Sequence, residues 1–128
     1  MSKGLFDSSV LIDCLRGHAG AVAFLRSHAS SGQIATHLVV AAELLAGACN
    51  KREQSVIESF LGAFEVVLPN ESDGSAALDL YRRHHLSKGV DWPDCQIAAT
   101  AIRLGLEVYT QNVKHFLAFS DLCVARAY

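Results

Sequence analysis

A chain of 128 residues with a net charge of −2 and a hydrophobic fraction of 51% is expected to form one ordinary domain, residues 1–128, with a core of its own. That balance excludes a disordered chain, which would be poorer in apolar residues, and a strongly basic protein that grips nucleic acid by bulk charge. It also excludes a membrane span, because the most apolar stretch, Leu38 to Cys49, is too short and carries Glu43.

Gly4-Leu5-Phe6 reads as a short strand ending at Asp7. Val10 to Arg16 is expected to be a helix stopped by Gly17, and Ala19 to Ala29 a second helix. Gln33 to Thr36 reads as a strand. Leu38 to Cys49 follows as a helix apolar nearly all round, and so expected to be deeply buried. Val56, Ile57, Phe60, Leu61 and Phe64 make the stripe of an amphipathic helix. Glu65 to Leu68 is a strand closed by Pro69-Asn70. Ser75 to Leu86 is helical, with Ala77, Leu80 and Tyr81 facing inward. Pro93 to Leu104 is a helix with Gln96, Thr100, Arg103 and Glu107 as its wet edge and Gly105 as its stop. Glu107 to Thr110 and Leu122 to Ala125 are the last strands. Strands alternating with helices predict a parallel sheet covered on both faces, whose ligands gather beyond the carboxyl ends of the strands.

The first residues run straight into an apolar strand with a carboxylate at Asp7, unlike a signal peptide, so a cytoplasmic protein is expected. Cys14, Cys49, Cys95 and Cys123 lack CxxC or zinc spacing. Each is expected to be a small buried residue in a reducing compartment. Phosphate-binding glycine loops and the GxSxG elbow are absent. His84-His85 are expected at the surface, and His18, His28 and His37 show no convincing partner.

Glu43 is the most informative residue taken alone. Its helical neighbours Val39, Val40, Ala46 and Gly47 cannot pair with it, and a carboxylate in apolar surroundings is costly unless a cation compensates. A distant Arg or Lys, or escape to solvent, is the alternative. Asp7 and Asp91 each precede a helix, and Asp94 stands in a first turn, so capping accounts for each singly. Asp7, Glu43 and Asp94 together point further. Carboxylates gathered at strand and helix ends repel one another unless a divalent cation joins them, and magnesium or manganese prefers oxygen ligands. Such an ion activates water for phosphodiester hydrolysis.

Four motifs in order resemble one family. Asp7-Ser8-Ser9-Val10-Leu11-Ile12-Asp13-Cys14-Leu15-Arg16-Gly17 looks like the opening of VapC-type PIN domains. Ala42-Glu43-Leu44-Leu45-Ala46-Gly47 resembles their second acidic motif, and Asp94-Cys95-Gln96-Ile97-Ala98-Ala99-Thr100-Ala101 their third. Val108 to Phe116 is similar to the closing motif. The resemblance implies a three-layer α/β/α fold with a five-stranded parallel sheet. It implies an endoribonuclease toxin that cuts structured RNA such as transfer or ribosomal RNA, is silenced by a cognate antitoxin and forms a homodimer. It assigns the metal to Asp7, Glu43 and Asp94, with Asn112 as a further catalytic position, Ser9 orienting Asp7, and Arg16 and Lys114 beside the RNA. Many members carry a fourth acid where Asn112 stands, and His115 replaces an acid often seen there. One metal in the resting state is therefore expected. A PIN-like module that binds RNA or protein without cutting is the alternative. A receiver-like domain would need a second acid after the first strand and a lysine at the end of the last, and has neither.

Overall fold

β-Branched, aromatic and small residues make short strands here, and helices carry the chain from each strand to the next. The computed structural model describes residues 3–32 and 34–128. Along it run β1 (Gly4–Phe6), α1 (Ser8–Leu15), α2 (Ala19–Ala29), β2 (Ile34–His37), α3 (Leu38–Ala46) and α4 (Lys51–Leu61). They are followed by β3 (Glu65–Val67), α5 (Glu71–Lys88), α6 (Trp92–Leu104), β4 (Glu107–Thr110), a 3-10 turn at Val113–Phe116 and β5 (Val124–Arg126). The five strands pair in parallel throughout, in the order β3-β2-β1-β4-β5.

β1 and β2 are buried at every residue, and Val108, Tyr109 and Thr110 of β4 are buried too. Successive strand side chains point to opposite faces, so unbroken burial means that helices cover both. This is the three-layer α/β/α arrangement expected from the sequence. Phe6 stands in the core with the rings of Phe24, Phe64 and Tyr109 edge-on at 5.7, 6.1 and 5.3 Å. Gly4 lies under Tyr109, and a Cβ built there would run into the ring. Among the described residues no helix is long and apolar enough to cross a membrane.

The winding reverses at β1. From it the chain steps to β2 and β3 on one side, and later to β4 and β5 on the other. At such a reversal the ends of two neighbouring strands part and leave a crevice. Phe6 pairs with Tyr109, so Asp7 and Thr110 face each other at its mouth.

The structure corrects several boundaries and environments. α5 begins at Glu71 rather than Ser75, because Asn70 and Asp73 form a reciprocal cap: each side chain accepts the other's backbone N–H at 2.9 Å. α1 begins at Ser8 and ends at Leu15, α3 ends at Ala46, and β5 is displaced to Val124–Arg126. The second strand runs on to His37, and Gln33 lies outside the described residues. α3 is not deeply buried all round. Val40, Ala41 and Leu44 face the core, while Leu38, Ala42, Glu43 and Ala46 are exposed, since one side of this apolar helix is left open by its neighbours. Cys14 and Cys95 are buried as expected, but Cys49 and Cys123 are exposed, Cys49 in the link between α3 and α4 and Cys123 just before β5, outside the packed elements. Thr100 belongs to the interior and not to the wet edge of α6.

Candidate metal centre

Asp7 is the residue after β1, and its backbone still belongs to the sheet: its N–H donates to Tyr109 O at 2.9 Å. Its carbonyl accepts from Val10 and Leu11 at the start of α1, yet its carboxylate makes no cap bond. The side chain is 5% exposed and turns instead to Thr110, which donates to Oδ2 at 2.8 Å. Ser9 lies 3.4 Å from the same oxygen and 3.2 Å from Thr110 Oγ1. Both hydroxyls are set from behind by backbone donors. Gln111 N donates to Ser9 Oγ at 3.0 Å and Asn112 N to Thr110 Oγ1 at 3.0 Å. With those lone pairs used, the Thr110 proton is directed at Asp7.

The capping account fails for Asp91 as well: it is the N-cap residue of α6 but makes no side-chain cap bond. Asp94, one turn in, has its carboxyl pushed up to about 7, first by burial and then by the charges of Asp7, Asp91 and Glu43. The carboxyl of Glu43 is also raised, by burial and by Asp7. Glu43 is exposed to solvent, so the charge of Asp7 is the more informative of those two effects. β1, α3 and α6 thus bring Asp7 and Glu43 near enough to Asp94 to resist its ionisation, and Asp7 near enough to Glu43 to resist that of Glu43. Among the described residues no Lys or Arg forms an ion pair with any of the three; His115 Nδ1 approaches Asp94 Oδ2 at 3.9 Å.

A divalent cation fits this donor set, because the oxygens are hard ligands and their mutual repulsion is what an ion would relieve. The set is not closed as it stands. Among the described residues, no three His, Cys, Asp or Glu side chains are arranged as a ready ion-binding group. Magnesium tolerates this, since it keeps several waters and takes few direct protein ligands.

A second polar network holds the helices that carry the acids. His37, fully buried, caps α3 by accepting from Val39 N through Nδ1 at 3.0 Å, so Nε2 carries the proton and faces Thr100 Oγ1 at 3.0 Å. Burial holds its ring below the ordinary histidine range, with the charge of Asp73 opposing. Thr100 in turn donates to Asp73 Oδ2 at 3.2 Å, and Arg103 grips both oxygens of Asp73 at 2.7 and 2.9 Å. The Arg103 bonds hold the Asp73 carboxyl below its ordinary range. β2, α3, α5 and α6 are pinned together by this chain of bonds. Sequence reading found no partner for His37 and missed Thr110, Asp73 and Arg103. The Asn-x-x-Asp cap spacing at Asn70 was the available signal for Asp73.

The remaining candidates lie around the acids. Arg16 caps the end of α1 and lines an apolar groove of about 730 Å³ with Glu43, Ile12, Leu15, Leu44, Val56 and Ile57. Lys114 lines a polar cleft of about 350 Å³ with Asp91, Asp94 and His115. Asn112 is exposed just beyond β4, and its side chain makes no cap bond to the 3-10 turn.

A family model described as PIN domain matches residues 5–120. Ribonuclease VapC19 of Mycobacterium tuberculosis is 37% identical over 120 residues, covering 92% of this chain and 95% of that protein. Ribonuclease VapC1 of Methanocaldococcus jannaschii is 31% identical over 118 residues, covering 90% and 79%. Among solved structures, a toxin–antitoxin complex from Klebsiella pneumoniae contains a chain 25% identical with a TM-score of 0.77, covering 98% of both chains. The DNA-bound VapBC of Salmonella typhimurium gives a TM-score of 0.83 over 100% of both chains at 20% identity, a likeness of fold.

Proposed function

The chain belongs to the PIN-domain family, and from that premise we propose that it is a VapC-like endoribonuclease that depends on magnesium or manganese. It acts in the cytoplasm as the toxin of a toxin–antitoxin pair. The reading is supported by the nearness of three acids: Asp7 and Glu43 raise the carboxyl of Asp94, Asp7 raises that of Glu43, and among the described residues no Lys or Arg is paired to any of them. The names of its relatives supply the reaction: VapC19 and VapC1 are ribonucleases.

When bound, the ion supplies Lewis acidity and activates water for phosphodiester hydrolysis. The residues of this chain do the rest. Asp7 is held rigid by Thr110 and Ser9, so its free oxygen keeps one direction. Asp94 stands at about 7 without a cation, and a bound dication would draw it down and hold it as a carboxylate ligand. Glu43 stands at the solvent-facing lip, where it completes the charge of the set.

Structured cellular RNA such as transfer or ribosomal RNA is the proposed substrate, and a homodimer the proposed assembly. The apolar groove beside Glu43 is suited to an antitoxin segment, and Arg16, Arg52, Glu43 and Glu53 give it charged edges. A binding module without catalysis is the second reading, favoured by the open ligand set and by Asn112 at the fourth acidic position. Purified protein incubated with a transfer RNA pool separates the two. The nuclease cuts only with magnesium or manganese, stops on addition of a chelator and is inactive as Asp7→Asn. RNA left intact by a folded, metal-supplied chain supports the binding module.

A further inference from the structure

The polar cleft at the start of α6 has walls from three places. Lys88 ends α5, Asp91 and Asp94 open α6, and Lys114 and His115 stand on the 3-10 turn. Gly89 adopts φ +65° after α5, a left-handed turn that suits glycine and folds the chain back, so that Lys88 and Asp94 share one cleft. Among the described residues neither Lys88 nor Lys114 makes an ion pair, although both are long cations beside carboxylates.

We propose that this cleft seats a backbone phosphate of the RNA strand next to the linkage being cut, with Lys88 and Lys114 as its cationic walls. This rests on the ribonuclease reading and adds to it the path of the strand. The cleft shares Asp94 with the acid cluster, so an anion there lies beside the scissile group. A divalent ion held by Asp94 would offset that carboxylate and leave Lys88 and Lys114 facing Asp91 alone, so the cleft would favour an anion. The groove beside Glu43 sets Arg16 and Arg52 against Glu43 and Glu53, so its charges offset, and its walls of Ile12, Leu15, Leu44, Val56 and Ile57 suit an apolar partner better than a polyanion. The two openings divide the work: RNA approaches along α6, and an apolar partner along α3.

The test is cleavage of a labelled transfer RNA by the full chain in manganese, with kcat and KM measured over a range of potassium chloride. Each lysine that contacts a phosphate contributes about 0.7 to the slope of log affinity against log salt on a single strand. The double variant Lys88→Ala/Lys114→Ala is expected to raise KM roughly tenfold, leave kcat within about threefold, and flatten the slope by about 1.4. Arg26→Ala/Arg82→Ala removes the same charge from exposed sites outside the cleft and is expected to leave the slope nearly unchanged. An unchanged slope in a cleft variant that still cleaves overturns the proposal alone, as does an equal loss in the control. Absence of cleavage by the unaltered chain overturns the ribonuclease reading and this one with it.

Discussion

Thr110 and Asp7, 103 residues apart, are joined by a 2.8 Å hydrogen bond across the point where the winding of the sheet reverses. The threonine has no charge and cannot hold an ion by repulsion relief. Its part is to fix the direction of the carboxylate. Thr110→Val keeps the shape and removes the donor, so kcat is expected to fall about 10- to 100-fold with KM for RNA little changed. Thr110→Ser is expected to keep most of the rate. Steady-state cleavage by the two variants checks this, and equal rates in both would mean that the bond is only structural.

Without a cation, Asp94 makes the fold weaker as pH rises. Its carboxyl stands at about 7 in the folded chain against an ordinary 3.8, so between those values the folded state holds a proton that the unfolded state has lost. Stability therefore falls as pH climbs through that window, and the deficit is complete above it. In a chelator at pH 8, Asp94→Asn is expected to stabilise the protein by about 1 to 3 kcal/mol, and much less at pH 4. Urea unfolding at both pH values measures it.

Gly4 is required by the ring above it. A side chain at this position displaces Tyr109, which is packed against Phe6, Phe24 and His28 in the interior. Gly4→Ala is expected to cost about 1 to 3 kcal/mol, because a tight core gives way only by moving side chains off their preferred rotamers. An unchanged denaturation midpoint would show that the ring moves freely.

The sequence made the acids legible because each interrupts an apolar pattern. Glu43 breaks a helix without polar neighbours, and Asp7 and Asp94 sit at element ends where the fold class concentrates chemistry. The alternation of strands and helices gave the layers for the same reason: periodicity is written locally. What stayed hidden depends on residues distant in the chain. Thr110 is an ordinary strand residue until the register of β1 on β4 sets it opposite Asp7. Thr100 follows the polar spacing of a surface stripe, yet α5 covers it and supplies Asp73, 27 residues away, as its acceptor. Lys88 was one surface cation among several until the turn at Gly89 brought it beside Asp94.

The central claim is that Asp7, Glu43 and Asp94 share one divalent ion. Calorimetric titration of manganese into the metal-free protein, compared with Asp7→Asn and Asp94→Asn, tests it without relying on any RNA. One binding event per chain, lost or weakened at least tenfold in both variants, is the predicted result. Binding of equal strength in all three proteins, or none to the unaltered chain, would contradict it.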